Sequence, residues 1–476
     1  MLGITLYDRI GPDGGQSVSQ LLYSKYSITT LIINNNRLGD KGCYAIANAL
    51  VIAEKDIFED EVHVDPDGGD NAGMYGSNQR EVKAPPGVLD EEHIIQNCTV
   101  TYLDLSNNSL GGETFEAISC TLKSNKSLVS LIIDYSIGAR GNDLNHTFNN
   151  CRVFNTSLKQ LSIADTPKIA VNTFDNAMRI FQGFSIVESI SFARCDLTAL
   201  HLSKSISKAS ASKYLRRIDL SGNKLKDQGL SFLVDAIKDS VGTDRFPISH
   251  VDVTSCEITM SAALALTHAS SRKHTLKYLD ISDNDLSGTA ESGVFAENIR
   301  QSRLRYLALN RCQLGTKKVG ELLEGLKDVT SSTCGSTLRT LLLSENNIQD
   351  TIDEALYNFL RENTRLELLD LGFNKITEMG LVKSKAALSV RTSATVEAKV
   401  NELHINIMGN RCSLHALEAP GKARAKLTMR YDREHFNAPC YHISSDAVDD
   451  YARNRRNLSS LNEKLDVVSV KYNVVA

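Results

Sequence analysis

The chain has 476 residues, 42% of them hydrophobic, with 53 Lys and Arg against 57 Asp and Glu and a formal net charge of -4. This is a globular composition, and its scattered, matched charges argue against the concentrated basic surface that a nucleic-acid partner requires. No stretch approaches the roughly 20 apolar residues of a membrane-spanning helix, and Met1-Leu2-Gly3-Ile4-Thr5-Leu6 lacks an export signal, so no membrane is implied and a cytoplasmic location is expected.

Taken in chain order, the first element is already part of a repeating unit. Ile4 through Gly14 matches Leu31 through Gly42 with one residue missing, and no dedicated cap precedes it, which suggests a truncated start or a partner covering the edge. The next unit, Leu31/Ile33/Asn36/Leu38, sets the pattern L-x-x-L-x-L-x-x-N/C-x-L. Clear copies follow at Leu103/Leu105/Asn108/Leu110, Ile218/Leu220/Asn223/Leu225, Leu279/Ile281/Asn284/Leu286, Leu341/Leu343/Asn346/Ile348 and Leu369/Leu371/Asn374/Ile376. Poorer copies at Leu131/Ile133, Leu161/Ile163, Ile190/Phe192, Val251/Val253, Leu307/Leu309 and Ile405/Ile407 fill the gaps. Ile248, Leu276 and Leu304 mark starts 28 residues apart.

Within each unit the alternating part has the period of a strand with one buried face. Apolar residues then recur 8 and 12 positions beyond the last motif residue, as in Leu38 to Ile46 and Leu50, or Leu225 to Leu233 and Ile237. Those offsets lie on one helix face, so each unit is a strand plus a full helix that buries its apolar side only when neighbours stack on it. The Asn position alternates with Cys along the middle of the chain, reading Cys195, Asn223, Cys256, Asn284, Cys312, Asn346. In repeat length and in this alternation, residues 4 to 415 resemble the ribonuclease-inhibitor-like subfamily of leucine-rich repeats. The resemblance implies an α/β leucine-rich-repeat horseshoe solenoid of about 12 or 13 units, with a parallel sheet on the concave face and helices on the convex face.

Residues 1–415 are therefore expected to form the repeats, interrupted at 51–98 by an acidic loop, and 416–476 to form a C-terminal cap or tail. From Glu54 to Glu92 twelve acidic residues stand against three basic ones, the profile of an irregular excursion. Asp65, Asp67 and Asp70 in it fail the calcium-loop register, because Asp70 stands where Gly is needed. Shorter insertions at Val241–Pro247 and Ser331–Ser336 should lie on the rim after a helix. Ten cysteines without a CxxC pair read as reduced, packed thiols, and Cys440 with His442 in the tail is too few ligands for a metal site.

No GxxxxGK[ST] loop, HExxH helix or GxSxG elbow occurs, so no catalytic residues, cofactor, metal or small-molecule substrate are expected. The expected function is a scaffold that binds a partner protein through the concave face and the ends of the solenoid. Among related repeat proteins, the dynein regulatory complex's leucine-rich subunit is similar in having irregular repeats and an extra tail, which implies a cytoskeletal or ciliary setting. Two alternatives stand beside this: an inhibitor or sensor of the ribonuclease-inhibitor-like class, and a Ran-type GTPase-activating protein using Arg37 or Arg140. The expected partner site is two rows of outward-pointing residues on adjacent strands. They are Arg217, His250, Tyr278, Tyr306, Thr340, Leu368 and Asp219, Asp252, Asp280, Ala308, Leu342, Asp370. Asp is a common filler of this repeat, but two exposed tyrosines between Arg and Asp have hot-spot composition and would favour a basic partner surface.

Overall fold

The computed structural model describes residues 2–6, 9–23, 28–51, 99–135, 156–181, 185–288, 292–327, 337–388 and 403–412. All of them belong to one unit, Met1–Met429. The acidic segment 52–98, Arg140, Ser331–Ser336, Cys440, His442 and the tail 416–476, for which expectations are given above, lie outside the described residues.

Among the described residues thirteen short strands form a single sheet. They are β1 (Leu2–Thr5), β2 (Ile28–Ile32), β3 (Tyr102–Asp104), β4 (Ser130–Ile132), β5 (Gln160–Ser162), β6 (Ser189–Ser191), β7 (Arg217–Asp219), β8 (His250–Asp252), β9 (Tyr278–Asp280), β10 (Tyr306–Ala308), β11 (Thr340–Leu342), β12 (Leu368–Asp370) and β13 (His404–Asn406). Their spatial order is their chain order, and each described pairing is parallel. Parallel neighbours demand a crossover, and here most crossovers contain a helix, as the repeat pattern requires. The architecture is thus the expected α/β solenoid.

Register is fixed by one apolar column. Leu31, Leu103, Leu131, Leu161, Ile190, Ile218, Val251, Leu279, Leu307, Leu341, Leu369 and Ile405 stand opposite one another in successive strands, and all are buried. A slip of one residue would turn such a side chain out of the core, forfeiting about 2–3 kcal/mol for each Leu or Ile. The helix side follows the sequence period equally well. Helix Lys226–Asp239 buries Leu230, Leu233, Val234 and Ile237, places Asp227 in its first turn and Lys238 in its last, and so matches its ends to the backbone dipole.

One insertion departs from expectation. Val241–Pro247 does follow that helix, but Phe246 within it is only 1% exposed and joins the core. Lys273, at the end of helix Met260–Lys273, donates to the carbonyls of Ser240, Thr243 and Arg245 and fastens the loop. A rim loop that contributes a core phenylalanine is a packed element of the repeat.

Candidate partner-binding face

The strands are held in place by the turns that follow them. Asn223 is fully buried. Its Oδ1 accepts from the backbone N–H of Cys195 at 3.0 Å and of Leu197 at 2.9 Å, both one unit earlier, while its Nδ2 donates to Phe192 O at 2.8 Å and Leu220 O at 2.7 Å. Asn108, Asn284, Asn346 and Asn374 repeat this double acceptance and back-donation. At the alternate units Cys supplies the donation alone: the thiols of Cys195, Cys256 and Cys312 donate to the carbonyls of Ile163, Leu220 and Ile281 at 3.1, 3.2 and 3.3 Å. Burial pushes Cys195 and Cys256 far above the ordinary thiol range and Cys312 up to about 12, so all three remain protonated donors.

These turns carry the two rows of the opposite sheet face. Arg217, His250, Tyr278, Tyr306, Thr340 and Leu368 stand in direct register on β7 to β12, and Asp219, Asp252, Asp280, Ala308, Leu342 and Asp370 form the row beside them. The aromatic members stack along the sheet. Ring centroids of Tyr278 and Tyr306 are 4.2 Å apart at 10°, and those of His250 and Tyr278 are 5.6 Å apart at 20°. The expected exposure is overturned: Tyr278 and Tyr306 are 9% and 8% exposed, and strand spacing is close enough to ring-stacking distance for the two rings to cover each other's facing sides.

The acidic row needs a second correction. Asp219 and Asp252 are buried, and Oδ1 of Asp219, Asp252 and Asp280 accepts from the backbone N–H two residues on, in Ser221, Thr254 and Ser282, at 3.0, 2.9 and 2.9 Å. Asp219 Oδ2 also accepts from the Ser191 hydroxyl at 2.8 Å. These carboxylates close their own turns and present little negative charge outward. Burial first, then the neighbouring Asp280 and Asp219, holds Asp252 well above the usual carboxylate range, and burial raises Asp280 and Asp370 in the same direction. The expected preference for a basic partner rested on exposed aspartates and does not survive this arrangement.

The Leucine Rich repeat family matches at residues 27–47, 96–119, 211–234 and 272–290. Porcine ribonuclease inhibitor (Sus scrofa) is 23% identical over 229 residues, which is 42% of this chain and 49% of that protein. The chain is a leucine-rich-repeat protein of the ribonuclease-inhibitor-like type. NACHT, LRR and PYD domains-containing protein 5 of Mus musculus is 25% identical over 285 residues, covering 58% of this chain. The chain thus spans about a fifth of that relative, where the share is 22%, and about half of the inhibitor. Among solved structures, an internalin from Listeria monocytogenes aligns over 62% of this chain and 74% of its own at 13% identity and a TM-score of 0.35.

Two recurring features of this leucine-rich-repeat chain escaped the sequence reading. Arg194 and Arg311, each just before a Cys of the ladder, clamp Asp165 and Asp283 of the preceding unit in bidentate fashion, with Nε and Nη2 each donating to one carboxylate oxygen. A carboxylate at one helix start also receives the next unit's threonine: Asp227 accepts from the Thr259 hydroxyl and Asp350 from that of Thr377, both at 2.6 Å. An Arg-Cys dipeptide with an Asp one unit earlier was the available signal for the first. Arg37, the described arginine of the GTPase-activating alternative, lies exposed on a left-handed turn residue at the position that Ser109 and Asp196 fill in later units.

Proposed function

We propose that the chain is a protein-binding scaffold whose partner docks on the open sheet face around His250, Tyr278 and Tyr306, flanked by Arg217 and the Asp219/Asp252/Asp280 row. The observation that supports this is the in-register ring stack, with centroids at 4.2 and 5.6 Å, built on adjacent strands outside the hydrophobic core. Side chains already fixed by one another lose little entropy on binding, which is the property that makes rigid aromatics effective contact points. The likeness to ribonuclease inhibitor, whose name gives it a protein ligand, favours the same class of function.

The test is quantitative affinity purification followed by measurement of the principal partner's affinity. Tyr278→Ala combined with Tyr306→Ala is expected to weaken it by at least about 2 kcal/mol, roughly 30-fold, while circular dichroism shows an intact fold. Unchanged affinity in a folded double variant refutes the placement. A finer reading, a structural subunit of a cytoskeletal or axonemal assembly, rests on the irregular repeats and extra C-terminal segment. Imaging a tagged chain tests that setting, and GTP hydrolysis with candidate GTPases tests the enzymatic alternative.

A further inference from the structure

One residue ahead of the aromatic row runs a column of charge. Backbone N–H groups of Ser249, Lys277, Arg305, Arg339 and Glu367 each donate at 2.8 Å to the carbonyl of the residue before them in the column, which begins Arg216, Ser249. Equivalent positions on neighbouring strands lie about 4.8 Å apart. The column is balanced at both ends, where Lys159 pairs with Glu188 at 3.1 Å and Arg339 with Glu367 at 2.6 Å. Between those pairs Arg216, Lys277 and Arg305 are exposed and, among the described residues, form no ion pair; the same holds for half-buried Arg217. Like charges on adjacent strands destabilise a sheet, so an uncompensated run of this kind is a cost that an external anion removes. The aspartate row does not supply that anion, because its carboxylates are turned back onto their own turns.

We propose that the partner segment lying across β7 to β10 is an acidic stretch of protein, whose carboxylates pair with Arg216, Arg217, Lys277 and Arg305. This rests on the partner-docking reading above and adds the partner's chemistry. Three strand steps from Arg216 to Arg305 span about 14 Å, the length of four or five residues of extended chain, so two or three acidic side chains in a short segment reach all of the cations. A nucleic-acid occupant fits less well. Tyr278 has a ring on each of its faces, leaving neither open to stack on a base, and the cationic run is short and closed by glutamates at both ends.

Fluorescence anisotropy with the full chain tests this, using a labelled Glu-rich peptide, its Gln counterpart and a single-stranded oligonucleotide as probes. The Glu peptide is expected to bind in a salt-sensitive manner and the Gln peptide not to bind. Lys277→Glu with Arg305→Glu should weaken the Glu peptide at least tenfold, whereas Lys204→Glu with Lys224→Glu, an equal charge change at exposed sites elsewhere, should leave it within about twofold. Lys277→Arg should bind as the unaltered chain does. Equal loss in both double variants, no binding of the Glu peptide, or tighter binding of the oligonucleotide overturns the proposal. Binding that emerges only after deletion of 54–92 also overturns it, by making the chain's own acidic segment the occupant. A native partner that tolerates Lys277→Glu with Arg305→Glu but is lost from Tyr278→Ala with Tyr306→Ala defeats the acidic-segment proposal and leaves the docking site standing.

Discussion

Asn223→Ala isolates what holds the face in position. The amide is fully buried and serves two backbone N–H groups of the preceding unit, those of Cys195 and Leu197, together with the carbonyls of Phe192 and Leu220. Truncation leaves two donors without an acceptor away from water, at about 1–2 kcal/mol each, and forfeits the two donated bonds at about half that each, for a loss of about 3–6 kcal/mol. Cys256→Ala is the internal control one unit on. Its thiol donates only weakly, to Leu220 O at 3.2 Å and Thr254 O at 3.5 Å, and its own N–H keeps Asn284 Oδ1 at 2.9 Å, so the loss should be about 1 kcal/mol. The chain has no tryptophan, so far-UV circular dichroism in a urea series is the suitable readout. If Asn223→Ala costs no more than Cys256→Ala, the assignment of the ladder's strength to the amide acceptor is wrong.

Two further outcomes follow from the buried groups. Under native conditions a thiol reagent should label Cys120, which is exposed, well before Cys195, Cys256 and Cys312, which should react only on unfolding; early labelling of any of these three would contradict their burial. Asp252→Asn should raise stability near pH 7, because the raised folded-state pKa means that ionised Asp252 disfavours the folded chain above that value, and Asn keeps an oxygen for the Thr254 N–H. The advantage should fade as pH falls through the raised value toward the unfolded carboxylate's ~3.9, where the unaltered chain carries a neutral Asp252 too. A difference between the two proteins that does not change with pH would refute the attribution to charge burial.

The fold was legible because burial repeats. Alignment of Ile4 with Leu31, made on apolar spacing alone, is the observed register of β1 on β2, and Leu279 opposite Leu307 follows from the 28-residue step. What the period conveys is the side of the sheet to which a residue points. It carries no information on shielding, which depends on the residue one unit away: Tyr278 is covered because its neighbours are His250 and Tyr306. Nor does it reveal that an outward aspartate bends back to its own turn, since that depends on a free N–H two residues later. Phe246 was missed for a third reason, because an insertion outside the repeat has no register from which burial can be inferred.

The face of such a sheet is therefore decided by pairs and triples of units, and departures from the repeated filler are where specificity can reside. Asp at the inner row recurs at 104, 219, 252, 280 and 370, spread over the sheet, as expected of a residue that closes turns. Among the described residues the aromatic stack and the unbalanced cations coincide across β7 to β10, on units whose turns are held by the Asn and Cys ladder. A rigid ladder beneath fixes the strand spacing, the spacing sets the rings in contact, and exposed arginine and lysine are left as the charge that the proposed partner would meet. Weakening the ladder at Asn223 or Asn284 should accordingly disturb the proposed recognition through geometry, whereas charge reversal at Lys277 and Arg305 should act on it through charge alone.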